Sequence, residues 1–182
     1  MNTTQHKGST VSTLSDKELI LRIKQELPTQ TKSFEILTKR YHNTLFAICL
    51  RIIGDKFLAE DAYQNTMLKI FRYIHSFNFD SSFKTWSYRI AFNESISVKN
   101  EHKNELESIR DYEAYSDSDN LDNELEVEKL LSKLEDKERE IIVFKYTLEL
   151  SDKEIAEIMD ISLSAVKMRL SRAKQKLQQI LK

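Results

Sequence analysis

The sequence predicts an all-α chain: two small helical domains joined by a flexible acidic linker, the C-terminal one carrying a helix-turn-helix. Three observations carry this. Among 182 residues there are only 2 Gly and 1 Pro, against a usual share of about 7 % and 5 %, and tight hairpins need Gly or Asn-Gly turns. Apolar residues recur at three- and four-residue intervals in two long stretches, the period of a helix with one buried face. Between the stretches that period fails in a run of acidic and small polar residues.

Residues 1–13 are Thr/Ser-rich with few apolar side chains, which predicts a disordered tail. Ser15-Asp16-Lys17-Glu18 is a capping box that opens a first helix bearing Leu19, Ile20, Ile23 and Leu27. Pro28 stops it. A second helix is expected over about 31–53, from Phe34, Leu37, Tyr41, Leu45, Ile48 and Ile52, with Gly54 as its end. A third follows over about 56–75 and a fourth over about 83–99. These make a first domain at 14–99. Residues 100–121 read as the linker: from Glu101 to Glu128 there are eleven carboxylates against Lys103 and Arg110. Periodicity returns at Leu125, Leu130, Leu131 and Leu134, and a helix over about 136–148 carries Ile141-Ile142-Val143-Phe144. The second domain, 122–182, has only ~60 residues and a correspondingly marginal stability alone.

Glycine scarcity also excludes chemistries. There is no G-x-G-x-x-G, no phosphate-cradling loop and no G-x-S-x-G elbow. Numerous carboxylates form no recognisable catalytic constellation, so no enzyme activity is expected. His6, His42, His75 and His102 never fall at metal-ligand spacing, so no metal site and no cofactor are expected. Cys49 reads as a small apolar residue on a buried helix face, and a single cysteine suits a reducing compartment. The polar N-terminus has no signal-peptide core, and no run approaches the eighteen or so apolar residues of a span. A cytoplasmic protein without membrane insertion is expected.

A formal net charge of −1 hides segregation. From Ser164 to Lys182 there are six cations, Lys167, Arg169, Arg172, Lys174, Lys176 and Lys182, and no carboxylate. Ser151-Asp152-Lys153-Glu154 is a second capping box, opening a short helix with Ile155, Ala156, Ile158 and Met159. A turn at Asp160-Ile161 leads to Ser162, an N-cap for a longer helix ending near Leu181. Short helix, tight turn and longer helix make a DNA-binding helix-turn-helix. At 100° per residue Val166, Leu170, Ala173 and Leu177 pack inward, and Ser164, Lys167, Met168, Ser171, Arg172 and Gln175 face out. Arg169 and Lys174 add charge on the flanks. A small, polar start with cationic flanks suits groove entry with phosphate clamping.

EIAEIMDISLSAVKMRLSRAKQKL resembles the promoter-reading helix-turn-helix of bacterial sigma factors. AEDAYQNTMLKIF, Ala59 to Phe71, resembles that family's helix for docking on the polymerase clamp. FKTWSYRIAFN, Phe83 to Asn93, resembles its segment for opening the promoter's minus ten element. Order and spacing match the extracytoplasmic-function (ECF) subfamily over about residues 15–182. Two positions depart from the pattern: Asp160 stands at a turn position usually held by Gly, and Phe92 stands where an Arg usually precedes the Asn.

The resemblance implies a non-enzymatic specificity subunit for transcription initiation, with core RNA polymerase (its clamp and flap regions), promoter DNA and an anti-sigma factor as partners. Asp61 and Gln64 sit at i and i+3 and so share a helix face, with Glu60 and Asn65 beside them and Ala59, Ala62, Thr66 and Ile70 inward. On spacing alone, Asp61 reads as a carboxylate favouring the helix dipole. The resemblance implies instead that Glu60, Asp61, Gln64 and Asn65 grip the clamp, with Asp61 paired to an Arg. Phe77, Phe79, Phe83, Trp86 and Tyr88 with Lys84 and Arg89 combine rings for unpaired bases with cations for the displaced strand. Asn93 adds a hydrogen-bonding group for a flipped base. Trp86, Tyr88 and Phe92 read equally well as packing. The acidic linker reads either as a nucleic-acid mimic in the RNA path or as a solvated tether. The competing function is a conventional regulator that binds DNA alone through the same helix-turn-helix. Such a regulator has no use for the 77–93 stretch or the Asp61/Gln64 face.

Overall fold

The computed structural model describes residues 13–103, 130, 131 and 133–181, and all regular structure among them is helical. The expected tail and most of the acidic linker lie outside the described residues.

In the first half, α1 (Asp16–Glu26) begins at the expected capping box. The Glu18 N–H donates to Ser15 Oγ at 3.3 Å and the Ser15 N–H donates to Glu18 Oε2 at 2.7 Å. Helix α2 (Lys32–Ile53) ends at Gly54, whose N–H donates to the Leu50 carbonyl at 2.8 Å from a φ of +81°. That left-handed backbone is open to glycine without steric cost. Asp55 then caps α3 (Lys56–Tyr73), accepting from the Leu58 N–H at 2.9 Å. The third helix tightens after Tyr73 into a 3₁₀ turn, Ile74–Ser76. Ser82 caps α4 (Phe83–Glu101) through the Thr85 N–H at 3.0 Å. Helices α2, α3 and α4 pack on one another, with α1 laid against α2. Their core holds Leu19, Ile23, Leu37, Leu45, Ile48, Ala62 and Ile70. Cys49 is fully buried among them, and burial pushes its thiol pKa up. It packs as the apolar residue expected.

In the second half, α5 (Asp136–Ile142) does not continue as a regular helix to Leu148. It widens into a π-helical turn, Val143–Thr147, with the Leu148 N–H reaching back to the Val143 carbonyl at 3.2 Å. Four consecutive residues sweep about 300° of a helix, more than one face, yet Ile141, Ile142, Val143 and Phe144 are all buried. This is met by packing the segment from two sides. Helix α7 (Leu163–Ile180) covers one, and α2 and α4 of the first half cover the other. Helix α6 (Asp152–Met159) completes the half and lies along α4.

Named contacts join the halves. Lys84 pairs with Glu154 at 3.5 Å, Arg89 with Asp160 at 3.2 Å, and Lys99 with Asp136 at 2.8 Å. Phe92 meets the Phe144 ring at 5.5 Å between centroids.

Candidate functional site

The helix-turn-helix forms as its caps predict. Ser151 and Glu154 close the capping box at the start of α6, with the Glu154 N–H 3.2 Å from Ser151 Oγ. The helix ends at Asp160, in the left-handed region at φ +53° and ψ +49°. Asp is among the few non-glycine residues that visit this region. Ser162 then caps α7, accepting from the Ala165 N–H at 3.2 Å. Val166, Leu170 and Ala173 are buried and Leu177 is partly so. Ser164, Lys167, Met168, Ser171, Arg172 and Gln175 are exposed, as the 100° count requires.

Two of the expected DNA contacts also have partners within the chain. Arg169 is only half-exposed, and its charge acts on Glu140 of α5. The Lys174 ammonium lies 5.5 Å over the Tyr146 ring. The two residues lie about 140° apart around α7, on opposite flanks of the inward stripe, and Lys174 remains exposed.

On α3, Ala59, Ala62, Thr66 and Ile70 are buried, and Glu60, Asp61, Gln64 and Asn65 are exposed. Two residues not anticipated share the face. Phe57 is 79 % exposed and Leu68 63 % exposed. Phe57, Asp61, Gln64 and Leu68 follow at intervals of four, three and four, the heptad-like spacing that presents one stripe to a partner helix. That spacing was legible in the sequence. It was hidden because Phe57 and Leu68 look like core residues until the opposite stripe is filled.

Around the 77–93 segment the rings do not form a single stacking surface. Phe77, Phe83 and Tyr88 are buried, and for Tyr88 packing was one of its two readings. They build a floor: Trp86 lies 5.1 Å from Phe77 and 5.7 Å from Phe83 between centroids, and Tyr41 lies 5.2 Å from Phe83. Trp86 is half-buried, so one part packs and another part meets solvent. Phe79 adopts a φ of +65° and is partly exposed. Beside it opens a cavity of about 370 Å³ bounded by Asp16, Lys17, Tyr41, Phe79, Phe83 and Lys84 among others. Lys17 and Lys24 lie 5.9 Å and 5.5 Å from the Phe79 ring centroid. The Tyr41 hydroxyl donates to Asp16, and burial together with that carboxylate pushes its pKa up, so it stays protonated. Asn93 and Arg89 are exposed on α4, with Arg89 turned to Asp160 of the other half. An aromatic wall, a cationic rim and hydrogen-bonding groups at the base are the chemistry a single unpaired base requires.

Among the described residues no group of three or more His, Cys, Asp or Glu is placed to hold a metal ion. No helix among them is long and apolar enough to cross a membrane.

Residues 37–104 match the family described as Sigma-70 region 2, and residues 124–177 match Sigma-70, region 4. The chain is 32 % identical over 180 residues to the ECF RNA polymerase sigma factor SigW of Bacillus subtilis, covering 88 % of this chain and 95 % of that one. It is 34 % identical over 145 residues to SigM of the same organism, covering 75 % and 88 %. The fold is similar to the sigma factor RpoE of Bartonella quintana, solved in complex with the anti-sigma factor NepR. The TM-score is 0.69 at 25 % identity, covering 82 % of this chain and 97 % of that one. It is also similar in fold to CnrH, solved with the cytosolic domain of CnrY, at a TM-score of 0.68 and 22 % identity, covering 91 % and 96 %. Two matched regions in the expected order, an exposed polar stripe over a filled one, and a capped helix-turn-helix agree: the chain belongs to the ECF branch of the sigma-70 family of RNA polymerase sigma factors.

Proposed function

We propose that this chain docks on core RNA polymerase through Asp61, Gln64, Glu60 and Asn65, reads the minus thirty-five element with α7, and opens the minus ten element with the 77–93 segment. It acts without catalysis of its own, in the cytoplasm, and its second half sits at the polymerase flap. The observation that carries this reading is the α3 stripe. Asp61 and Gln64 are exposed at i and i+3 above a fully buried opposite face, so the fold makes no demand on them and a partner can. Phe57 and Leu68 extend the stripe with apolar area at both ends.

At the minus ten element the cavity beside Phe79 takes the flipped base, Trp86 offers its exposed edge, and Asn93, farther along α4, supplies a hydrogen bond to the opened strand. Lys84 and Arg89 hold phosphates of the displaced strand. On α7, Lys167 and Arg172 contact base edges or phosphates, and Met168, exposed on that face, suits an apolar contact such as a thymine methyl. RpoE of Bartonella quintana is held by an anti-sigma factor, and an inhibitor of the same class is proposed here. The domain bounds 14–99 and 122–182 and the linker's place in the RNA path belong to the same proposal. The test is run-off transcription on genomic fragments with purified core polymerase and this protein. Discrete transcripts that need both components support the reading. Site-specific DNA binding by the chain alone, without any transcript, favours a conventional regulator.

A further inference from the structure

We propose that Lys24 of α1 is a positioning residue for promoter opening: without touching DNA, it holds the 77–82 loop so that Phe79 stands as the wall of the base pocket. This rests on the assignment of the cavity beside Phe79 to the flipped base.

Phe79 carries a bulky side chain at a φ of +65°. Such a residue rarely adopts the left-handed region and stays there only when its surroundings hold it. The hold comes from α1, which packs on the 3₁₀ turn just before the loop. Lys24 Nζ donates to the Phe77 carbonyl at 2.5 Å, across 53 residues of sequence. The same ammonium lies 5.5 Å from the Phe79 ring centroid. Lys17, seven residues earlier and so on the same helix face two turns away, lies 5.9 Å from that centroid. One cation therefore grips the loop twice, by the backbone before Phe79 and by the ring itself. At the far end, Ser82 is fixed as the cap of α4 through the Thr85 N–H at 3.0 Å.

The two lysines differ in what they can reach. Lys17 borders the cavity together with Phe79, Phe83 and Lys84, and Lys24 does not. Lys24 is half-buried, with its ammonium engaged by Phe77 and Phe79, so it acts through the loop rather than on a base. An ammonium on a carbonyl is a charge-assisted bond, and a cation over a ring adds to it. A wall already in place spares the incoming base the cost of ordering it. A pocket formed only part of the time captures a base more weakly by that fraction.

Trp86, the single tryptophan of the chain, lies 5.1 Å from the Phe77 ring and reports on the loop. Lys24→Met keeps the stem and a good helix former while removing charge and donors. In the free full-length chain, acrylamide should quench Trp86 more strongly in Lys24→Met than in wild type or Lys24→Arg. A guanidinium can also donate to the carbonyl and lie on the ring.

The functional test uses core polymerase carrying each full-length variant, on a promoter mapped by run-off transcription. Lys24→Met should slow opening, read by permanganate, roughly three- to tenfold. The salt dependence should stay that of wild type, and Lys24→Arg should restore the rate. Phe79→Leu should also slow opening, and adding Lys24→Met to it should slow opening no further.

A wild-type rate or unchanged Trp86 quenching in Lys24→Met overturns the positioning role, as does the absence of rescue by arginine. A shallower salt dependence marks a phosphate contact instead, and multiplied defects in the double variant show that Lys24 acts apart from Phe79. A Lys24→Met thermal midpoint below the assay temperature makes the lysine a support of the whole half, which overturns the role too. If Phe79→Leu opens like wild type, the pocket assignment fails and the positioning role with it. If Phe79→Leu is slow and Lys24→Met is not, only the positioning role fails.

Discussion

Phe92 of α4 and Phe144 of the turn after α5 meet edge to face, their centroids 5.5 Å apart and their planes inclined at 62°. The contact joins the two halves of the chain, and both rings are buried. Phe92→Ala removes an aromatic pair and leaves a void, at a cost of about 3 kcal/mol. The halves should separate more readily, read as a larger radius of gyration by small-angle X-ray scattering and a lower thermal midpoint. An unchanged radius and midpoint contradict the bridging role.

Stability should depend on pH through Glu140. Burial pushes its pKa up to about 7, against the opposing charge of Lys99 from α4. Asp136 and Lys137 on its own helix and Arg169 from α7 act on it as well. A raised carboxyl favours the protonated form in the fold. Its contribution is therefore complete below the ordinary value of 4.5 and is lost as pH rises to about 7. The thermal midpoint should fall across that window, and Glu140→Gln should flatten the fall. Glu154, held below the usual range, loses its contribution only as pH drops below 4.5, so the two effects separate. A wild-type-like slope in Glu140→Gln removes Glu140 as the cause.

On α7, Lys167→Ala or Arg172→Ala should weaken minus thirty-five binding by ~1–3 kcal/mol if the residue reads a base. A loss uniform across sequences, with a shallower salt dependence, assigns it to phosphate. Arg169→Ala should instead raise the Glu140 pKa further and leave DNA affinity nearly unchanged, because Arg169 is turned toward α5. Titrations of a labelled duplex at several salt concentrations distinguish these outcomes.

Asn93→Ala should slow opening of the minus ten element while polymerase binding stays intact, and a pre-opened template should restore transcription. Trp86→Ala should slow opening as well. It should also lower the thermal midpoint, because the ring rests on Phe77 and Phe83. Permanganate footprinting reports the opening. Wild-type opening by both variants contradicts the melting assignment.

Much of this was legible from the residues, for physical reasons that also mark where the reading stopped. Capping boxes at Ser15 and Ser151 and the N-caps at Asp55, Ser82 and Ser162 are local chemistry, so helix starts fall where the sequence puts them. The inward stripes of α3 and α7 follow from phase alone. Phase put Arg169 and Lys174 on the flanks of α7 but could not say that Arg169 would act on Glu140 and Lys174 would lie over Tyr146. Nor could it separate Phe77, Phe83 and Tyr88 from Phe79, since burial of a ring depends on what folds over it. The pairing of Lys84 and Arg89 with α6 joins residues some seventy apart in sequence, and no local pattern announces it.

The most direct test of the account is Asp61→Arg, which reverses a charge the fold does not use. Asp61 is exposed, so the thermal midpoint should stay within the small range of surface substitutions. Against a clamp Arg, the variant should lose several kcal/mol of affinity, hence orders of magnitude in binding. Gel filtration with core polymerase measures it: wild type should co-elute and support run-off transcription, and Asp61→Arg should do neither. Co-elution of both Asp61→Arg and Gln64→Ala at wild-type levels would contradict the polymerase-docking face.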